Sequence, residues 1–319
     1  LTASSDMFVL PETRNLVDVL LDAGLEPWLF DWRGSCRLPH NEAGGAYTLD
    51  DVALHDVPAA VAAVRAQIGA RPLFVIAHCV GALSFGMSMA AGLLPGLSGV
   101  IAQGVFLTPK MALSTRLRMS VLGELARPFI DHIPTDIRQV GLFSKYTPLF
   151  ALASLGKSCS DPTCHMAQSG WGSGGSLFEH DNLHPQTHDR LAELLGAAPT
   201  CLMPHLRKME LARSVVSWHE GDPRYAQLPA NALDQAHRID CPVLLLSGSE
   251  NGLWLDSNRL CAQLLAQRQP QLDARYVEVA GYGHFDAFVG RGAAFDVFPH
   301  ITRWLGERLV AQHRAHERN

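Results

Sequence analysis

Apolar runs of strand length alternate with stretches of helical spacing along this chain, and that alternation admits few architectures. RPLFVIAH (71–78), LSGVIAQGVFL (97–107), CPVLLLSGS (241–249) and DARYVEVAG (273–281) read as strands, and EPWLFDW (26–32) as a further short buried strand. PETRNLVDVLLDA (11–23), TLDDVALHDVPAAVAAVRAQIG (48–69), GALSFGMSMAAGL (81–93) and residues 255–268 and 293–312 read as helices. Thr48 is placed to cap its helix, and Pro58 should kink or restart it. Strand and helix in alternation predict a parallel sheet with helices on both faces. Residues 108–238 break the alternation with mostly helical and irregular sequence. The expected division is a core of 1–107 and 239–319 with a helical cap or lid at 108–238, whose SGWGSGGS (169–176) suggests a mobile lid.

Composition narrows the function. The 319 residues are 47% apolar and 18% charged, as in a globular enzyme, and the net charge of −5 comes without a basic run, which argues against nucleic acid. No window is apolar for long enough to span a membrane, and no signal peptide is visible. Seven cysteines in this length do not make a disulfide scaffold, so reduced thiols in a cytoplasmic protein are expected; Cys159 and Cys164 are close enough for a local bridge.

The chemistry concentrates at AHCVG (77–81), where a strand meets a helix. It has the form of a G-x-S-x-G nucleophile elbow with Ala77 for the first glycine and Cys79 for serine. The tight turn calls for small flanking residues, which Ala77 and Gly81 supply, and the helix start behind Cys79 favours a thiolate. The rival reading is a cysteine packed between sheet and helix. AGYGHFD (280–286) follows the last strand, where such a fold carries its histidine, so Cys79 and His284 form a nucleophile–base pair in the right chain order.

With these motifs the chain resembles the α/β-hydrolase superfamily. More narrowly, LTASSDMF, FDWRGS, VIAHCVGA, SLFEHDNLHPQTHDRL, LLLSGSEN and GYGHFDAFVG are similar to the hydrolase-like domain associated with cholesterol-oxidase-type GMC oxidoreductases. That domain is distantly similar to polyhydroxyalkanoate synthases, which also carry cysteine in the elbow, and to acid lipases. No G-x-G-x-x-G follows an initial strand, so flavin chemistry does not carry over and no cofactor is expected.

The resemblance implies an acid after VLLLSG, and there the chain departs from it: Asn251 takes the position, beside Glu250. Asparagine in place of aspartate costs a serine enzyme about 10⁴ in turnover, but Cys-His-Asn is a working arrangement. Glu250 is the rival orienting group, Asp256 and Asp286 are outside candidates, and Asp286 reads rather as a brace of the histidine loop. A decayed site is the remaining reading. For the oxyanion, the Val80 N–H is one expected donor. The second comes from a His-Gly loop that, by resemblance, directly precedes LTASS, so Leu1 and Thr2 are the nearest available donors. Early strands are then expected to be missing, leaving an apolar edge that pairs with another copy or with a preceding segment.

His78, Trp171 and Phe178 are candidates for substrate contact. Trp171, Leu177 and Phe178 line an acyl pocket or form cap core. Asp31 and Arg33 read as an ion pair or loop anchor. His180, His184 and His188 have metal-like spacing, but Pro185 intrudes, and Cys159, Cys164 and His165 complete a zinc site only if the fold brings them together; cap packing without metal is the expectation. The predicted activity is hydrolysis of a hydrophobic acyl ester or thioester through a Cys79 acyl-enzyme, with acyl transfer on the same site as the alternative. A non-catalytic module binding a hydrophobic ligand or partner is the second alternative.

Overall fold

Four strands, β1 (Phe74–His78), β2 (Gly99–Gln103), β3 (Val243–Gly248) and β4 (Ala274–Val279), pair in parallel in the order of their occurrence. The computed structural model describes residues 2–38, 47–120, 129–136, 141, 144–154, 159–171 and 177–316. Ile76, Ile101, Leu244 and Arg275 lie in one row across the sheet. The central strands β2 and β3 are buried throughout, as the continuous apolar sequence demands. At the β4 edge, Arg275 pairs with Asp273 and Glu307, charges that discourage further pairing.

Helix α1 (Leu16–Asp22) opens on a capping box in which Asn15 and Asp18 satisfy each other's backbone N–H. The predicted kink near Pro58 is present: a π-turn over Val52–Asp56 separates the Thr48-capped turn from α2 (Val57–Ile68), which carries Pro58 in its first turn. Helix α3 (Val80–Ala90) is buried along nearly its whole length. Its small residues let it approach: a Cβ at Gly86 would strike Leu107, and Ser88 bonds the Ala53 carbonyl. Burying Leu83 and Met87 contributes about 1.5–3 kcal/mol each. Helices α5 (Ser257–Arg268) and α6 (Phe298–His316) follow β3 and β4, and α6 sets Trp304 against Gly99 and Phe74.

The segment 26–32 corrects the sequence reading. It forms no strand, and Trp28, Leu29 and Phe30 are 38–47% exposed. A strand exists only where a neighbour completes its ladder, and this segment lies instead across a cavity from the free edge of β1. Asp31 and Arg33 anchor loops separately: Asp31 accepts from the Ser5 N–H and the Ser5 and Ser35 hydroxyls, and Arg33 pairs with Asp56 at 2.6 Å. Between β2 and β3 the described chain is mostly short helices, with a two-residue ribbon joining 132–133 to 198–199. Positions 172–176 of the glycine-rich stretch lie outside the described residues.

Candidate active site

Cys79 occupies the turn from β1 into α3 with φ 56° and ψ −131°, a backbone region that a non-glycine residue rarely adopts and that costs about 1–3 kcal/mol. The turn is held because the Cys79 N–H donates to the Gln103 carbonyl while the Cys79 carbonyl accepts from Ala82. The sulfur therefore sits at the sheet's C-terminal end, near the Val80 amide that starts α3, and lines the cavity. Gly81 corrects the expectation that packing demands a small residue there. A Cβ at that position would meet nothing within 4 Å, and Gly81 borders the cavity instead.

The His284 loop is drawn to this turn by several bonds. The N–H groups of His284 and Phe285 both donate to the Leu177 carbonyl, at 3.0 and 2.8 Å. Gln103 Nε2 donates to the His284 carbonyl at 3.1 Å, and Glu250 N–H donates to the Tyr282 carbonyl. Two glycines make the approach possible. A Cβ on Gly104 would stand 2.5 Å from His284 Cε1, and one on Gly248 would collide with the Tyr282 carbonyl.

As a result the Cys79 sulfur and a ring nitrogen of each of His78 and His284 all lie within 4.8 Å of one another. The His78 and His284 rings stack, with centroids 4.5 Å apart. Since Gln103 Nε2 faces the His284 carbonyl, its Oε1 faces His78 Nδ1 at 2.5 Å, which makes Nδ1 the protonated nitrogen. His284 is 1% exposed and neither ring nitrogen has a hydrogen-bond partner. Burial lowers both imidazoles to about 3, so both are neutral at physiological pH. For Cys79, burial pushes the thiol up, while His78, the Trp254 indole N–H and the Val80 amide act to bring it down.

The orienting candidates separate clearly in space. Asn251 is buried; its Nδ2 donates to Ser247 Oγ and the Gly104 carbonyl, and its Oδ1 accepts from the Trp254 N–H. Both Asn251 Nδ2 and His284 Nδ1 approach the Cα of Gly104 closely enough to meet a Cβ there, though no hydrogen bond joins them. Glu250 is exposed, bonds the Ser249 hydroxyl, and makes no described contact with His284. Asp256 pairs with Lys110 and Arg259. Asp286 braces the loop: Oδ2 accepts from the Gly283 N–H and from Asn182 Nδ2, and burial raises the carboxyl to about 6.

Thr2 is buried, bonds the Gly196 carbonyl and lines the cavity with Cys79, whereas Leu1 lies outside the described residues. The cavity, of about 740 Å³, is mainly apolar and runs from Cys79 and His284 along the β1 edge. Leu177 lines it. Phe178, for which lining and cap core were both open, is buried against Gly283, and the side chain of Trp171 lies outside the described residues.

Two residues escaped the sequence reading. Gln103, fully buried, links both histidines; its signal was a lone amide at the C-terminal end of an apolar strand. Trp254 is 2% exposed, lines the cavity, and turns its indole N–H toward the sulfur without completing a hydrogen bond. Nothing local in GLWLD marked it.

A parallel sheet, a cysteine in a strained strand-to-helix turn and a histidine after the last strand have the arrangement of the alpha/beta hydrolase fold. The family model for the alpha/beta hydrolase fold matches residues 1–290, and the chain belongs to that family as a hydrolase-class enzyme. It is 23% identical to Lipase member K of Mus musculus over 97% of this chain and 78% of the relative. Its fold is similar to that of a metagenome-derived lipolytic enzyme from a study of LipS and LipT, with a TM-score of 0.51 and 15% identity over 99% of this chain and 91% of the other. A variant of tomato methylketone synthase I, complexed with beta-ketoheptanoate, has the same TM-score of 0.51 at 12% identity, covering 96% and 94% of the two chains. Among the described residues no helix is long and apolar enough to cross a membrane, and none of the seven cysteines is in a disulfide.

Proposed function

We propose that the protein is a cysteine-dependent acyl hydrolase that cleaves hydrophobic esters or thioesters, with residues 108–238 as the cap. The observation that carries this reading is the unpartnered His284 imidazole beside Cys79, at the end of a mainly apolar cavity. His284 takes the Cys79 proton and the thiolate attacks the acyl carbonyl carbon, whose π electrons move to oxygen. The Val80 N–H receives the oxyanion, and Thr2, which lines the same cavity, is the candidate for the second donor. Collapse expels the alcohol or thiol, which takes the proton from His284 and leaves a Cys79 thioester. Water, deprotonated by His284, attacks that thioester; the acid leaves and the thiol is restored. Asn251 fills the orienting role from its buried place near the imidazole, where its Nδ2 donates to the Gly104 carbonyl and its Oδ1 accepts from the Trp254 N–H. A thioester intermediate also reacts readily with alcohols and amines, which makes acyl transfer the second reading.

The test is the intact mass after brief exposure to p-nitrophenyl butyrate, with Cys79→Ala beside it. A gain of one butyryl group in the unaltered protein alone is expected, and added alcohol then separates hydrolysis from transfer. Equal behaviour of the two proteins refutes the cysteine mechanism, and saturable ligand binding without acylation turns the reading to a binding module.

A further inference from the structure

Away from Cys79, the fold gathers a second set of ligand side chains, part of the group whose spacing raised a zinc site in the sequence. Cys159, Cys164, His180 and His188 each offer one ligand atom, and all four atoms lie within 4.8 Å of one another. Cys159 Sγ is 3.3 Å from His188 Nε2. A tetrahedral zinc with Zn–S about 2.3 Å and Zn–N about 2.0–2.1 Å holds its ligand atoms about 3.3–3.8 Å apart. The cluster is therefore at, or within about 1.5 Å of, the required spacing.

The surroundings suit thiolate and imidazole ligands. The Asp161 N–H donates to Cys159 Sγ at 3.3 Å, a contact that stabilises charge on sulfur. Cys164 lies in the first turn of helix α4 (Pro162–Trp171), where Asp161 Oδ1 accepts from the Thr163 N–H and the helix dipole favours a thiolate. His188 presents Nε2 to the cluster while Nδ1 has Asp189 at 3.8 Å, and His180 Nδ1 has Asp181 at 4.0 Å. Both carboxylates are solvent-exposed and beyond hydrogen-bond distance, so they place negative charge near the cluster without fixing either ring. The two cysteines are not joined in a disulfide.

Neighbouring candidates are turned away. His165 bonds the Ser154 hydroxyl and the Cys159 carbonyl, and so steadies a ligand loop rather than ligating. His184 caps the short helix Pro185–Asp189. Pro185 thus does break the i, i+4 ladder, but the bend brings His180 and His188 together, with ring centroids 4.8 Å apart.

We infer that Cys159, Cys164, His180 and His188 form a structural Cys₂His₂ zinc site. Four protein ligands leave no open position, so the ion's role is to tie segment 177–188 to α4. That segment carries the Leu177 carbonyl that receives both loop amides and the Asn182 amide that holds Asp286. The zinc therefore braces the loop bearing His284 from outside the site.

The experiment is metal analysis of the purified full chain, followed by Co²⁺ substitution. About one zinc per chain is expected, with intense thiolate-to-cobalt absorption and tetrahedral d–d bands on exchange. Cys164→Ser and His188→Ala should lose the metal and the bands, and melt several degrees lower. Cys79→Ala must keep both, which separates this site from the Cys79–His78–His284 cluster and from the proposed hydrolase chemistry. Zinc lost with Cys79→Ala but retained in Cys164→Ser and His188→Ala overturns the assignment. So does a chain that neither contains zinc nor, with thiols reduced, develops thiolate bands on adding Co²⁺.

Discussion

Replacing Gly104 by alanine tests the site geometry most directly. The new methyl would lie 2.5 Å from His284 Cε1 and 2.6 Å from Nδ1, where an ordinary carbon contact needs at least 3.4 Å. Relief requires the imidazole to retreat by about 1 Å, and a displacement of that size costs about 10²-fold in rate. Gly104 also sits at φ +87°, so alanine adds backbone strain of about 1–3 kcal/mol. Gly24→Ala isolates that second effect, because Gly24 has φ +73° and a methyl there would touch nothing within 4 Å. The assay is the rate of Cys79 acylation by p-nitrophenyl butyrate, with melting temperature alongside. Gly104→Ala should acylate about 10²-fold more slowly than Gly24→Ala while keeping its far-ultraviolet dichroism. Acylation within threefold of the unaltered protein would show that His284 is not the base.

Further outcomes follow from the same contacts. Trp254→Phe keeps the ring and removes the buried N–H, and should slow acylation by about 10²-fold with little change in KM if the indole supports charge at the sulfur or oxyanion; a changed KM with unchanged kcat points to cavity shape instead. Asn251→Ala should lower kcat by at least about tenfold, whereas Glu250→Gln should leave it unchanged; the reverse ranking in steady-state assays returns the orienting role to Glu250. Stability should fall as the pH drops below 6.5, because the unfolded chain then binds protons on His78 and His284 that the folded chain, with both lowered to about 3, does not. Between pH 6.5 and 4.5 the loss is about 2 kcal/mol for His284, because the unfolded imidazole is already half protonated at pH 6.5, and it is read by urea unfolding at the two pH values. Asp286, raised to about 6, acts oppositely: its protonation on acidification favours the fold, so Asp286→Asn should steepen the loss between pH 6 and 4.

Much of this protein was legible in order along the chain, because the determinants are local. The apolar runs became β1 to β4, most plainly β2 and β3, since a strand with both faces covered has no polar alternative, and the kink at Pro58 follows from its own ring. The placement of Cys79 and His284 was readable because a strand-to-helix turn and a loop after the last strand each have their own sequence form. What depends on direction through space was not. EPWLFDW has strand character, but among the described residues no neighbour completes its ladder. Glu250 and Asn251 are adjacent, and only the crossing of the Tyr282–His284 loop over Gly248 buries one and exposes the other. Trp254 faces the sulfur through the turn that Asn251 holds. Cys159 and His188 are 29 positions apart; the sequence raised Cys159, Cys164, His180 and His188 among zinc candidates, but only the fold selects these four over His165 and His184. Period and turn chemistry are written in neighbouring residues, but a site of several ligands or reacting groups is a coincidence of distances, and packing alone sets those.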